Sequence, residues 1–543
     1  MSAMRAEAAP ASPTNNITYT HRARAPAPGA APPPYRDIAI IGGGTAGWMA
    51  AIILANALIA RGARITVLES PAVGIIGVGE GSTPWLRGFF EAAGIEESEW
   101  MPEVNATYKC GIAFEGWSTR PGFESYFHPF ASMLDNFTVG MLVRNADARV
   151  NGWNAWAHPN RFFIASRLAE ECKAPRPERN FPFDVWYGYH FDAGLLGQFL
   201  HRKAVERGVV YKSCHVADVR MKENGDIAAV VTSEGETVAA DLFVDCTGFQ
   251  GLIIQKTLGT PFHPYADNLF NDSAIAMPTP APERLPSQTL SKAMRHGWMW
   301  RIPLTNRFGN GYVYSSQFVS ADEAERELRE AIGMLDSPVE ARHLRMRTGR
   351  VSRHWNRNCL AVGLSQGFIE PLEATALLFI QRTAEYFVEA LESGDLSEAA
   401  RERYNERLNR QFEGTRDYIV THYKTNSRTD TEYWRANAAN TKLSDALLEL
   451  YAVWMSGRGI AREIGSQRLG VGYPIASWYS IFAGMGIFGP PERLRAPDPG
   501  DFDDIAEVDD LIARSAANFR EQREVLRAIP PRGKGPSMQA YHW

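Results

Sequence analysis

Residues 38–69 read IAIIGGGTAGWMAAIILANALIARGARITVLE, and the fold follows from how that stretch divides. Ile38, Ala39, Ile40 and Ile41 form a short apolar run suited to a parallel strand buried on both faces. Gly42, Gly44 and Gly47 then satisfy G-x-G-x-x-G, with Gly43, Thr45 and Ala46 completing the turn. In such a turn the first glycine permits the tight bend, the second lets the backbone approach a pyrophosphate, and the third lets helix and strand pack closely. The apolar run from Trp48 predicts a helix stopping near Gly62, whose free amino-terminal N–H groups and dipole favour phosphate. A second strand, ITVLE, ends at Glu69, where a carboxylate can bond a ribose hydroxyl. Together these parts predict a βαβ dinucleotide site in an α/β fold.

Further along, HFDAGLLGQFLHRKAVERGVVY predicts a helix with Leu195, Leu196, Phe199 and Leu200 on one face. Three strand-like runs follow, VADVRM, IAAVVTS and VAADLFVDCTG, separated by turns at Asn224-Gly225-Asp226 and Glu234-Gly235-Glu236. This layout resembles the FAD-dependent monooxygenases of the hydroxylase type, which implies FAD as the nucleotide. No second glycine-rich unit for NADPH is evident, so a flavin site is present without a site for its reductant.

The 543 residues suffice for a large core, and 45% hydrophobic with 22% charged residues is a soluble, globular balance. A net charge of −5 offers no electrostatic reason to expect nucleic acid or an anionic membrane. The five cysteines include no C-x-x-C pair, which argues against a disulfide framework or a metal site and fits a reducing cytoplasm. Residues 1–34 are rich in Ala and Pro, without apolar periodicity or a signal-peptide core, and are expected to be disordered. The apolar window Ile38–Ala60 is interrupted by glycines, so a strand-turn-helix explains it better than a membrane span. The organisation expected is a monooxygenase-like domain over 35–395 with an interleaved, mixed-sheet substrate region. A mainly helical part follows over 396–529, opening on a long helix striped by Tyr404, Leu408 and Phe412, and then a loose tail over 530–543.

Residues 297–303 read GWMWRIP, in which Trp298, Trp300, Ile302 and Pro303 make W-x-W-x-I-P. With GVGEGSTP (77–84), EWMPEVNATYK (99–109), RFGNGYVYSS (307–316), FIEPLEAT (368–375), THYKTNSRTDTEYWRAN (421–437) and IFAGMG (481–486), the chain resembles the flavin-dependent halogenases of the tryptophan-halogenase group from about Asp37 to Gly489. The resemblance implies a definite chemistry. Reduced FAD from a separate NAD(P)H-dependent reductase reacts with O2 to a hydroperoxide, chloride or bromide is oxidised to hypohalous acid, and the acid travels through a tunnel to an electron-rich aromatic substrate. Trp298 and Trp300 are implied to wall the flavin from that substrate.

On its own, Lys109 alternates with apolar neighbours in what reads as one strand through Glu115, a pattern that fits a plain strand residue. The resemblance makes it the catalytic lysine, acting as an ammonium on hypohalous acid or as an amine forming a haloamine. The alternation puts Cys110 on the opposite face, away from an oxidant that would attack a thiol. Pro371 suits the first turn of a helix running through PLEATALLFIQRTAEYF, with Glu370 and Glu373 near its start. The resemblance selects Glu373 to stabilise the cationic intermediate and take its proton, and leaves Glu370 structural. It also places halide on the backbone amides of Thr375 and Ala376, where the family more usually has glycine at the second position. His128, Phe130 and Tyr473 are implied to line the substrate pocket, and Gly79, Glu80, Gly81, Leu364 and Leu377 to belong to the flavin site.

Just before the IFAGMG block, SGRGIAREIGSQRLGVGYPIASWYS lacks the Tyr-, Phe- and Glu-rich stretch that clamps the amino-acid part of free tryptophan in relatives. An indole or other electron-rich aromatic is therefore expected ahead of free tryptophan. An aromatic monooxygenase and a non-catalytic FAD-binding protein stay open as alternatives. The oligomeric state is not determined by the sequence, which is compatible with a homodimer.

Overall fold

The structure, a computed structural model, describes residues 32–74, 80–465, 473–496 and 505–529. Gly79, the tail from 530 and all but the last residues of the Ala/Pro-rich extension lie outside them. The opening stretch forms β1 (Asp37–Ile41), α1 (Thr45–Leu58) and β2 (Arg64–Glu69), with β1 and β2 parallel from Asp37↔Arg64 to Ile41↔Leu68. A short 3-10 turn follows α1 and ends at Gly62, whose φ of +97° only glycine adopts without strain. Trp48, Met49, Ile52, Leu54 and Leu58 of α1 are buried, and each apolar side chain of that size contributes roughly 1.5–3 kcal/mol by leaving water.

β1 and β2 belong to a six-stranded sheet in the order Trp355–Asn356, Cys359–Ala361, Leu242–Asp245, β1, β2, Val210–Ser213. All neighbours are parallel except the Trp355–Asn356 edge. β1 lies between the next strand in sequence and one added some 200 residues later (positions 37–41 against 242–245), so the order reverses there, which is where open α/β sheets bind nucleotides. The third run of the meander is not one strand. Thr237–Ala239 completes a three-stranded antiparallel sheet, whereas Leu242–Asp245 enters the parallel sheet. The break falls at Asp241, whose carboxylate accepts from the amides of Arg36 and Asp37 at the mouth of β1.

A second, seven-stranded mixed sheet builds the substrate side, in the order Arg342–Arg345, Ser273–Pro280, Arg307–Tyr314, Gly297–Pro303, Thr289–Ala293, Gly111–Glu115, Ser125–Pro129. Here the single strand expected from Tyr108 to Glu115 divides in two. β3 (Thr107–Lys109) pairs with Gly188–Phe191, while β4 (Gly111–Glu115) pairs with Ser125–Pro129 and Thr289–Ala293. Gly111 makes the crossing possible, because a Cβ there would stand 2.2 Å from the His128 carbonyl oxygen. Trp298 and Trp300 lie on β5 (Gly297–Pro303) in the middle of this sheet.

Glu370 to Thr375 departs from the expected helix as well. Pro371–Glu373 is a 3-10 turn, Ala374 is left-handed at φ +54°, and only then does α2 (Ala376–Ser393) begin. After it, α3 (Glu398–Thr425) crosses between two cores. Tyr404 and Leu408 pack in the nucleotide-side core with α1, and Phe412, Tyr418, Ile419 and Tyr423 in the substrate-side core with β4 and β5.

Gly47 bears the closest helix–strand approach, since a Cβ there would lie 2.0 Å from the Gly42 carbonyl oxygen. Gly47→Ala is expected to destabilise the protein by roughly 1–3 kcal/mol, about the cost of overpacking. A thermal melt checks it; an unchanged midpoint contradicts the packing.

Candidate active site

Four glycines at the end of β1 meet different surroundings. A Cβ on Gly42 would strike the Cys246 carbonyl oxygen at 2.3 Å, and one on Gly43 the Glu69 side chain at 2.3 Å. At Gly44, by contrast, no described residue lies within 4 Å of a Cβ. The turn is thus pressed from behind and open in front, at the amino end of α1, which is the shape a pyrophosphate needs. Asp245 steadies the loop behind it by accepting from Thr247 N and Oγ1 and from Ile253 N and Ile254 N. Glu69 is half-buried at the end of β2, and burial raises its carboxyl against the Tyr211 hydroxyl that bonds it. Gly363, at φ +74°, has its Cβ position 2.7 Å from Ala46 Cβ, so the segment carrying Leu364 closes on Thr45-Ala46. Leu377 packs from α2 in the same core. These residues fit FAD.

Lys109 ends β3 with no side-chain exposure, and its Nζ lies 5.4 Å from the centroid of the Phe130 ring. Glu80 and Gly81 pair with Phe191 and His190, and Gly81 backs onto the lysine, its Cβ position 3.3 Å from Nζ. Burial lowers the Lys109 ammonium to about 8, and Glu373 across the site acts the other way. His190, fully buried between the Thr107 and Thr289 hydroxyls at 3.0 and 2.9 Å, is held neutral, mainly by its burial and then by the nearby lysine. Cys110 faces a separate apolar cluster with Phe127, Ile164 and Leu168, where burial pushes its thiol up to about 12.

Glu373 is buried between two histidines. His422 Nε2 stands 3.0 Å from its Oε1, out of line for a well-formed hydrogen bond, and His128 Nδ1 lies 3.7 Å from its Oε2. Burial alone would raise this carboxyl, but His128, His422 and Lys109 outweigh it and hold Glu373 below the usual range. Both histidines are themselves fixed. Tyr126 Oη is 3.0 Å from His422 Nδ1, Phe114 stacks on the His422 ring, and Tyr418 Oη is 2.6 Å from His128 Nε2. Tyr473 lies flat on Tyr418, ring centroids 3.6 Å apart. Lys109 and Glu373 form no direct ion pair among the described residues, yet each alters the other's ionisation. Two oppositely charged groups are therefore buried within reach of each other's field without pairing directly.

Beyond Glu373, the left-handed Ala374 reverses the chain so that the amides of Thr375 and Ala376 begin α2, where helical N–H groups have no intrahelical acceptor. A non-glycine residue at positive φ costs on the order of 1–3 kcal/mol and is retained where the surroundings over-determine it. Trp298 and Trp300 stand behind this turn with ring centroids 6.2 Å apart, and Trp298 Nε1 donates to Glu370 at 3.1 Å.

The chain matches the family described as tryptophan halogenase over residues 37–496. It is 37% identical over 507 residues to tryptophan 6-halogenase SttH of Streptomyces toxytricini, covering 89% of this chain and 95% of that one. It is 38% identical over 447 residues to the 7-chloro-L-tryptophan 6-halogenase KtzR of Kutzneria, covering 77% and 84%. The crystal structure of SttH aligns with a TM-score of 0.79 and 33% identity over 92% of this chain and 100% of that chain. This chain belongs to the tryptophan halogenase family and is a flavin-dependent halogenase. The membership sets aside the monooxygenase and the non-catalytic readings.

The halogenase brings together Lys109, His128, Phe130, Glu373 and Tyr473, which are scattered over the sequence. Of the residues taken for the flavin site, Gly79 lies outside the described residues and Gly81 also touches the lysine pocket. Sequence reasoning missed His422, Tyr126 and Tyr418. The signal was present for two of them, since Tyr418 and His422 are four apart on α3 and share a face. No group of three or more His, Cys, Asp or Glu able to hold a metal occurs among the described residues, and no described helix is long and apolar enough to cross a membrane.

His422→Phe keeps the stack on Phe114 but removes a group that lowers Glu373. Glu373 is expected to protonate at higher pH in this variant, so an acidic limb of the rate–pH profile set by that carboxyl moves up. An unmoved limb means that His422 does not control Glu373.

Proposed function

We propose that this halogenase uses reduced FAD, O2 and chloride or bromide to halogenate an electron-rich, indole-type aromatic by electrophilic substitution. The observation that carries the reading is the burial of Lys109 and Glu373 near each other without a direct ion pair, the carboxyl flanked by His128 and His422 and held below its usual range. Bound reduced FAD with O2 supplies the two-electron oxidation of halide to hypohalous acid. Thr375 and Ala376 hold the halide with the first amides of α2. Lys109 hydrogen-bonds the hypohalous acid through its ammonium, or forms a haloamine as the amine; a site value of about 8 makes both forms accessible. As the halogen bonds to a ring carbon and its bond to oxygen breaks, the leaving hydroxide takes a proton from the Lys109 ammonium and departs as water, while Glu373 faces the cationic intermediate and takes the displaced ring proton on a carboxylate oxygen. His128, Phe130 and Tyr473 wall the ring, while Trp298 and Trp300 separate it from the flavin.

The absence of an NADPH unit in the sequence supports a separate NAD(P)H-dependent reductase as the source of reduced flavin. SttH and KtzR are named for tryptophan and 7-chloro-L-tryptophan. In this chain the stretch corresponding to the amino-acid clamp carries glycines and arginines, which supports a bare indole over the free amino acid. Residues 466–472 of it lie outside the described residues. A pocket without a polar clamp orients its ligand less strictly, so the position substituted follows the ring's own reactivity.

The test is purified protein with FAD, a generic flavin reductase, NADH and halide against indoles and phenols, read by mass spectrometry. Lys109→Ala is expected to yield no halogenated product while the bound flavin is still reoxidised. Glu373→Gln is expected to slow product formation by about 10²-fold, the scale of a lost general base. Indole is expected to be converted faster than tryptophan. Full activity of the Lys109 variant, or a strong preference for tryptophan, contradicts the corresponding part.

A further inference from the structure

We propose that Glu370 is a positioning residue that locks the tryptophan wall to the catalytic turn, an inference that rests on the reading of Trp298 and Glu373 above. Glu370 has no exposed surface. Its Oε2 receives three donors from three separate parts of the chain: Trp298 Nε1 of β5 at 3.1 Å, Asn271 Nδ2 at 2.8 Å and the Tyr423 hydroxyl of α3 at 2.7 Å. Asn271 is held in turn by the Tyr433 hydroxyl, 3.0 Å from its Oδ1. All of these donors are neutral. Burial raises the Glu370 carboxyl and the three donors only partly offset it, whereas Glu373, three residues on, is driven down by charged neighbours. Two carboxyls on one short turn are thus set apart in character, one for chemistry and one for attachment.

The attachment is specific to one of the two tryptophans. Among the described residues Trp300 Nε1 is buried with no partner, and its ring lies against Gly311, where a Cβ would come within 1.9 Å. Trp300 is held by shape alone. Trp298 is held by a hydrogen bond to the turn that carries Glu373 and the amides of Thr375 and Ala376. Consecutive residues of α3 grip that turn at both ends, His422 at Glu373 and Tyr423 at Glu370. Releasing Glu370 therefore frees the wall and loosens the turn together, and oxidant made on the flavin side reaches the substrate less often.

Two readouts test this. The first needs no flavin: hydrogen exchange of the Trp298 indole N–H in [15N]Trp-labelled protein, assigned by its loss in Trp298→Phe. Exchange is expected to be slow in the wild type and in Glu370→Gln, which keeps a neutral acceptor. In Glu370→Ala it should be at least tenfold faster, while the indole of Trp434, bonded instead to the Met294 carbonyl, keeps its protection. The second is halogenated product formed per reduced flavin oxidised in a single turnover, a ratio insensitive to how much protein is folded. It should fall roughly tenfold in Glu370→Ala, the scale of a buried hydrogen bond lost, and by no more than about twofold in Glu370→Gln. Should the alanine variant fail to fold, Tyr423→Phe removes one donor, keeps the ring, and is expected to lower the ratio about threefold. Trp298 exchanging no faster in the alanine variant, or an unchanged product ratio in whichever variant folds, overturns the proposal. A wild type that halogenates nothing sinks the catalytic reading instead and leaves the exchange result standing.

Discussion

Two carboxylates are held out of water on the turn from Glu370 to Glu373, and the organisation of the reaction pocket depends on how each is compensated. A buried, unpaired carboxylate costs several kcal/mol, so it must protonate or find partners. Glu373 finds charge-capable partners in His128 and His422 and stays ionised. Glu370 finds an indole, an amide and a phenol, none of which carries charge. The compensation needs α3 to run alongside the turn at the right rotation, which it does because its first half is anchored in the nucleotide-side core and its second half in the substrate-side core. The strain at Ala374 is tolerated for the same reason, since both sides of the residue are held by other elements.

The glycine turn and the Lys109–Glu373 region are built on two different sheets. The glycine turn lies at the end of the parallel strands, where three glycines are pressed from behind and no described residue comes within 4 Å of a Cβ on the fourth. Trp298 and Trp300 rest on a mixed sheet, and the chain passes between strand pairings at Cys110. Lys109 stands at that passage, where burial lowers its ammonium. One residue on, burial among apolar side chains raises the Cys110 thiol and makes it a poor nucleophile. Lys109 and Glu373 influence each other's ionisation without forming a direct ion pair among the described residues.

Several features were legible in the chain before any coordinate. The G-x-G-x-x-G turn with a strand before it and an acidic strand end after it is a local pattern, because every step of its logic lies within some thirty residues. The long helix with Tyr404, Leu408 and Phe412 was legible for the same reason, its stripe following from the helical repeat. Local pattern misled at three places. Residues 108–115 alternate as one strand, but Gly111 turns them into two sheets; Thr237 to Asp245 divides at Asp241; and Pro371 starts a 3-10 turn, not α2. In each case a partner distant in sequence decided the outcome: the His128 carbonyl, the amides of Arg36 and Asp37, and the two grips of α3.

The sequence by itself determined the dinucleotide unit, the family, and which lysine and glutamate to examine, because glycine spacing, apolar period and motif blocks are properties of neighbours along the chain. The tertiary structure alone decided that Glu373 is ionised and Glu370 is not its equivalent, that His422 belongs to the site, and that Trp298 is tied to the catalytic turn while Trp300 is merely packed. Those are matters of burial and of which charge or donor stands within a few ångströms, and they arise only when segments remote in sequence are folded together.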